Sequence, residues 1–519
     1  MTLKTLVVSA GVLLCAAPVA APVHAAASAA SSCETLASLK LPHTTITLAQ
    51  TVGAGTFPPP AGRQGRGAAV YAELPSFCRV AATLAPSADS DIKVEVWLPS
   101  SGWNGKFQAV GNGGWAGTIS YPALAQAVAA GYATASTDTG HTGNNGSFAL
   151  GHPEKLTDFG YRAVHEMTVQ AKAVIDAYYG AAPKLSFWNG CSLGGRQGIT
   201  EAQRYPADFD AIVAGAPAVN AMYLHAARVA INQIVHRSPD SYIAPEKYSM
   251  IHDAALNACD ALDGVKDGII DSPSRCAFDP KVLACKDADG ASCLTPAQVE
   301  TARALYAPVK DPKSGATVFP ALLEPGSELG WATLAGPQPV GTALDAFKYV
   351  VFADANWDWR SFNMSTDLSR GLRQDAGAMN AGDPDLRPFF NRGGKLLIYH
   401  GWSDGGSGGA ISAFNTISYY ESVLKHMGPN QENWLRLFMV PGMAHCGGGT
   451  GPNQFNALAA LERWREQNEP PKSIIAARVN ERGGIDMTRP LCPYPQRAVY
   501  KGTGSTNDAA NYTCKVKGN

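Results

Sequence analysis

Leu185-Ser186-Phe187-Trp188-Asn189-Gly190-Cys191-Ser192-Leu193-Gly194-Gly195-Arg196 runs from a short apolar stretch into a serine framed by glycines. Residues 185–188 read as a buried strand, and Leu193 onward supports a helix until Pro206. A G-x-S-x-G turn between a strand and a helix suits a nucleophile, because small flanking residues permit a bend sharp enough to lift the hydroxyl clear of the backbone. In a chain with 53 glycines the pattern also arises by accident, so its surroundings decide.

Upstream, residues 92–98 (I-K-V-E-V-W-L) alternate as a strand does, and residues 106–110 form a second strand ending in Gly111-Asn112-Gly113-Gly114. Residues 132–137 are a third. Residues 161–179 space Val164, Met167, Ala171, Ile175 and Tyr178 three or four apart, as on one helix face. Downstream, 211–214 is another short buried strand. Strand–helix alternation predicts an α/β class with a parallel sheet covered on both faces. From 218 to 388 the pattern breaks into turns, four cysteines and Trp357-Asp358-Trp359; it resumes with strands at 395–399 and 435–440. The expected organisation is a signal over 1–25, a catalytic domain over 26–217 and 389–519, and an inserted lid over 218–388.

The G-x-S-x-G elbow belongs to the alpha/beta hydrolase fold, whose triad follows in the order Ser, Asp or Glu, His, with the acid and the histidine on loops after sheet strands. Asp404 follows strand 395–399 within His400-Gly401-Trp402-Ser403-Asp404, and His445 follows strand 435–440 within Pro441-Gly442-Met443-Ala444-His445. The expected roles are Ser192 as nucleophile, His445 as general base and Asp404 as the group that holds the imidazole tautomer. A turn carboxylate is the plain reading of Asp404. His400 and His141, at strand ends, read as structural. For the oxyanion, one donor is expected from the amide of Leu193 and the second from the 111–114 loop at Gly114, which otherwise is only a turn.

The 519 residues allow a large domain with an insertion, or two to three domains. A net charge of −1 with 16% charged residues gives no electrostatic case for nucleic acid or an anionic membrane. Lys4, the apolar run 6–19 and Val23-His24-Ala25 read as a secretory signal with its cleavage site. No later stretch approaches the roughly 18–20 apolar residues of a membrane span. The expectation is a secreted or periplasmic protein with no membrane partner once the signal is removed.

Losing Cys15 with the signal leaves ten of the 11 cysteines. In an oxidising compartment an even number suggests disulfides. Near neighbours offer Cys33–Cys78, Cys259–Cys276, Cys285–Cys293 and Cys492–Cys514, which leaves Cys191 and Cys446, the neighbours of Ser192 and His445. Spacing does not prove this connectivity; free thiols or a metal site are the other reading, disfavoured by the lack of any C-x-x-C.

Asp260, Asp263, Asp267 and Asp271 fall within twelve residues, a hard-oxygen set suited to calcium or simply a solvated acidic turn. Counting from Asp263, Val265 and Ser274 stand where an EF-hand needs ligands, so this is no EF-hand.

Gly190-Cys191-Ser192-Leu193-Gly194-Gly195-Arg196, His400-Gly401-x-x-Asp404, His445-Cys446 and the 260–269 loop together resemble the tannase and feruloyl esterase family, which also contains a bacterial mono(hydroxyethyl) terephthalate hydrolase. The resemblance spans essentially the whole mature chain. It implies an alpha/beta hydrolase with a large calcium-carrying lid, a disulfide joining the serine and histidine loops, and small aromatic ester substrates such as those of ferulate or gallate. It also implies that calcium (Ca2+) is a structural cofactor held by the side chains of Asp260, Asp263 and Asp267 and the carbonyls of Val265 and Ile269. Residues 405–409 (Gly-Gly-Ser-Gly-Gly) depart from the family pattern and put the pocket wall in question, while Trp331, Trp357 and Trp359 read equally as ring platforms or core. Feruloyl esterase leads, tannase and terephthalate monoester hydrolase are alternatives, and a non-catalytic calcium-stabilised binding protein is the remote one.

Overall fold

The computed structural model describes residues 31–60, 66–287, 289–406 and 409–516. The expected signal and Cys15 lie outside them, as do Ser407 and Gly408 of the glycine run. The large sheet has nine strands: β1 (Thr44–Val52), β2 (Phe77–Leu84), β3 (Ile92–Pro99), β4 (Lys106–Val110), β5 (Ala133–Thr137), β6 (Leu185–Cys191), β7 (Ala211–Gly215), β10 (Lys395–Gly401) and β11 (Leu435–Val440). The short hairpin β8 (Val309–Lys310) and β9 (Thr317–Phe319) stands apart. The order across the sheet is β1-β2-β3-β5-β4-β6-β7-β10-β11.

From β5 to β11 every pairing is parallel, whereas β1, β2, β3 and β5 pair antiparallel. The expectation of a wholly parallel sheet is corrected at that edge. There β1, β2 and β3 follow one another in the chain and lie next to one another in the sheet, and β3 pairs antiparallel with β5.

The central strands bury both faces. Phe187, Val213 and Leu397 join one core, while Trp188, Ile212, Leu396 and Ile398 join the other. Helices Ala163–Tyr179, Leu193–Arg204 and Ala413–Met427 cover the second face, and helix Ala457–Gln467 covers the first. This is why these strands read as apolar runs without alternation. It is an alpha/beta hydrolase arrangement, and it brings the ends of β6, β10 and β11 to one edge of the sheet, with β7 between β6 and β10.

Between β7 and β10 the chain leaves the large sheet and folds mainly as helices, among them Ala221–Val235, Tyr248–Cys259, Pro296–Tyr306 and Met364–Asp375. A bridge between Asn220 and Asn380 and the bond from Ala381 N to Val219 O (2.6 Å) hold its two ends together. Its core contains Trp331, Phe347 and Leu334, and extends down to Trp115, Leu193 and Ile411 beside the strand ends. After β11, two small sheets, β12 (Ile474–Val479) with β13 (Ile485–Leu491) and β14 (Arg497–Tyr500) with β15 (Tyr512–Lys515), complete the chain.

The disulfides are Cys33–Cys78, Cys191–Cys446, Cys259–Cys276, Cys285–Cys293 and Cys492–Cys514.

Candidate active site

Ser192 sits where β6 turns into helix Leu193–Arg204, with φ 65° and ψ −122°. A non-glycine residue in this region is strained and needs support. The Ser192 amide donates to Gly215 O (2.9 Å), its carbonyl accepts from Arg196 N (3.1 Å), and Trp188 Nε1 donates to Gly194 O (2.8 Å). Only glycine fits at 190: a Cβ there would lie 2.5 Å from Gly194 O.

Asp404 is fully buried just past β10. Its Oδ2 accepts from His445 Nδ1 (2.9 Å) and from His400 Nε2 (2.8 Å), and its Oδ1 accepts from the Ala410 amide (3.0 Å). Burial alone would push this carboxyl up. The charge of His445 and hydrogen bonds from His400 and His445 outweigh it and hold the group well below the ordinary carboxylate range. Two backbone bonds, Trp402 N to Val440 O (2.9 Å) and Ser403 N to Met443 O (3.0 Å), tie the acid loop to the histidine loop. The Cys191–Cys446 disulfide, with Cα atoms 6.0 Å apart, then ties the histidine loop to the serine turn. Among the described residues no hydrogen bond joins Ser192 Oγ to His445. Such bonds commonly tighten only when substrate is bound.

The 111–114 loop lies against the serine turn. Gly194 N donates to Asn112 O (2.8 Å), and Gln197 and Asn112 exchange two bonds of 3.1 Å each. Asn112 Nδ2 also donates to Thr137 O (2.7 Å). Sequence reasoning passed over Asn112 and Gln197; one turn of helix after the serine was the available signal. Among the described residues no backbone carbonyl takes the amide of Leu193 or of Gly114. Both residues line a cavity together with Ser192, Trp115, Phe159 and Arg228.

The tryptophans considered from the sequence lie elsewhere. Trp331 is fully buried and donates to Ser327 Oγ (3.2 Å), Trp357 stacks on Phe352, and Trp359 lies under Arg360. Trp115, directly after Gly113-Gly114, is the tryptophan of this cavity, stacked on Phe159 with centroids 4.9 Å apart. His400, read from the sequence as structural, bonds the same carboxylate oxygen as His445.

In the acidic loop, Asp260 accepts from the amides of Asp267 (3.2 Å) and Gly268 (3.0 Å), Asp263 accepts from Val265 N (2.9 Å), and Asp267 pairs with Arg489. Among the described residues the compact group able to hold a metal is a different one, His165, Glu201 and Asp208, with ligand atoms within 4.8 Å of one another. There His165 Nδ1 already bonds Asp208 Oδ2 (2.6 Å) and the Lys172 ammonium bonds the Asp208 carbonyl.

Residues 78–515 match the family model described as tannase and feruloyl esterase. The chain belongs to the tannase and feruloyl esterase family. An uncharacterized esterase of Xanthomonas campestris pv. campestris is 37% identical, with 94% of this chain and 92% of that one covered. A probable feruloyl esterase B-2 of Aspergillus terreus is 36% identical over 85% of this chain and 86% of its own length. Among solved structures, feruloyl esterase B from Aspergillus oryzae superposes with a TM-score of 0.86 at 31% identity, covering 93% of this chain and 99% of that one. As a member of this family, the protein is a carboxylic ester hydrolase.

Proposed function

We propose that the protein hydrolyses esters of aromatic acids, feruloyl esters foremost, through Ser192, His445 and Asp404. The observation that carries this reading is the buried Asp404–His445 hydrogen bond, crosslinked to the serine turn through Cys446 and Cys191. His445 Nε2 takes the proton as Ser192 Oγ bonds to the ester carbonyl carbon. The same proton goes to the leaving alkoxide as the acyl C–O bond breaks. Water, deprotonated by His445, then attacks the acyl-enzyme, and Ser192 leaves with the proton. Asp404 accepts from Nδ1 throughout and so keeps Nε2 facing the reaction. The amides of Leu193 and Gly114, which no backbone carbonyl takes, are the donors proposed for the oxyanion.

The segment 218–388 acts as a lid over this cavity, supported by the contribution of its Leu224, Arg228 and Thr342 to the cavity wall. Calcium is proposed as a structural ion on Asp260, Asp263, Asp267, Val265 O and Ile269 O. The donor chemistry supports it: three carboxylates and two backbone carbonyls in a loop closed by Cys259–Cys276. Its contribution when bound is to fix the loop. Five disulfides support a secreted or periplasmic location, and among the described residues no helix is long and apolar enough to cross a membrane.

The test is Ser192→Ala against wild type on methyl ferulate, methyl gallate, chlorogenate and a terephthalate monoester. Wild type should turn over at least one of them, methyl ferulate best, and should be labelled at Ser192 by phenylmethylsulfonyl fluoride. The variant should fold normally and lose activity by about four orders of magnitude or more. A folded wild type that neither labels nor hydrolyses any of the panel defeats the proposal.

A further inference from the structure

Asp404 carries two imidazoles on one oxygen, and the reaction needs only one of them. We propose that His400 is a positioning residue for the catalytic aspartate, with Thr416 setting its tautomer; this rests on the triad reading above.

A carboxylate only accepts hydrogen bonds. With Oδ2 at 2.8 Å from His400 Nε2 and 2.9 Å from His445 Nδ1, both nitrogens therefore donate to it. The other nitrogen of His400, Nδ1, lies 2.7 Å from Thr416 Oγ1. A neutral imidazole with its proton on Nε2 has an acceptor at Nδ1, so the Thr416 hydroxyl donates there. His400, Thr416 and Asp404 are all fully buried. The result is a buried relay: Thr416 on helix Ala413–Met427, then His400 at the end of β10, then Asp404, then the base His445.

Other charged groups face this relay from the inserted segment. The Arg228 guanidinium grips the carbonyls of Gly409 (2.5 Å) and Ala410 (3.2 Å), and so secures the amide that Asp404 Oδ1 accepts. The Glu324 carboxyl is buried, and burial together with Asp404 pushes it well above its ordinary range. Neither group donates to Oδ2, so His400 is the second donor there.

A second donor does two things. It fixes the rotation of the carboxylate, so that the remaining lone pair of Oδ2 points at Nδ1 of His445. It also shares the negative charge, which moderates how strongly Asp404 stabilises the imidazolium of His445. Removing it returns that charge to His445, so the base holds its proton to higher pH.

The experiment compares wild type with His400→Leu, His400→Gln and Thr416→Val, using the best ester of the panel. It reads kcat and KM, the pH profile of kcat/KM, thermal unfolding, and phenylmethylsulfonyl labelling of Ser192. His400→Leu should lower kcat about ten- to hundredfold with little change in KM. Its acid limb should move to higher pH by about half a unit or more. His400→Gln, whose side-chain amide can donate to Oδ2, should recover most of kcat. Thr416→Val should shift the limb in the same direction by less. A merely structural role would lower unfolding temperature and leave the limb in place.

The proposal is overturned if folded His400→Leu keeps the wild-type kcat and limb, or if Gln restores no more than Leu. Should His400→Leu fail to fold, an unmoved limb in folded Thr416→Val overturns it. Failure of the triad reading is separate, showing as a wild type that does not label at Ser192.

Discussion

Gly409 shows what a single residue contributes to this site and why its role was hidden. A Cβ at 409 would lie 2.1 Å from Asp404 Oδ1 and 2.9 Å from His445 Cβ. The glycine therefore answers to the triad, whereas the sequence pattern pointed to the pocket wall. The placement of Ser192, Asp404 and His445 just past β6, β10 and β11 was legible because order and loop placement are local to the chain. His400, Asn112 and Gln197 were not, because a hydrogen-bond partner is set by packing between elements. His225 carries a residue-scale prediction. It lines the cavity, stacks near Trp115, and its Nδ1 has no hydrogen-bond partner among the described residues. Burial, then the charges of Arg228 and Arg196, push its pKa down to about 3. The unfolded chain binds a proton at this ring below about pH 6.5 while the folded chain does not. The contribution to stability is thus complete above pH 6.5 and is lost as pH falls toward 3. His225→Phe should flatten that acid decline by up to about 1.4 kcal/mol per pH unit. Denaturant melts of both proteins from pH 7 to pH 4 measure it, and parallel curves would refute it.

At the scale of elements, the strands flanking the site were readable almost to the residue. Residues 106–110 and 435–440 are β4 and β11 as expected, and 185–188 extends only as far as Cys191 in β6. These strands are short, apolar on both faces and bounded by glycine or proline, so their signal is local. β1 and β2 escaped notice: β1 is half exposed, with a register shift between Ile46 and Leu48, and carries no continuous apolar run. β12 to β15 form small two-stranded sheets whose edges lack a long alternating pattern. The elements at the site are held by the Cys191–Cys446 link, which closes a separation of 255 residues. In the chain-entropy model such a loop is worth up to about 5 kcal/mol. Replacing both cysteines by serine should lower the unfolding temperature and cut kcat at least about tenfold, because the histidine loop then loses its covalent tie to the serine turn. Paired kinetics and thermal melts test this; full activity in the double variant would remove the crosslink from the mechanism.

Over the whole molecule, the insertion and the C-terminal hairpins meet at the acidic loop. Val265 packs with Cys492, Ala498 and Tyr512, and Arg489 of β13 reaches back to Asp267 while lying 4.2 Å from the centroid of the Tyr512 ring. The loop's acidic composition is visible in the sequence, but this long-range contact, more than 200 residues apart in the chain, leaves no local trace. The arrangement makes the proposed calcium ion a fastener between the insertion and the C-terminal hairpins. Arg489 pairs with Asp267, and the acidic character of the loop suits a divalent ion. An ion that binds only the folded chain stabilises it by about 2.7 kcal/mol at a hundredfold excess over its Kd. Chelation should therefore lower the unfolding temperature of wild type by several degrees, and added calcium should restore it where magnesium does not, since magnesium demands a tighter octahedron. Asp263→Asn should already melt lower and respond less to chelator. A wild type whose melting is indifferent to both chelator and calcium would leave the acidic loop as a protein-only junction held by Arg489.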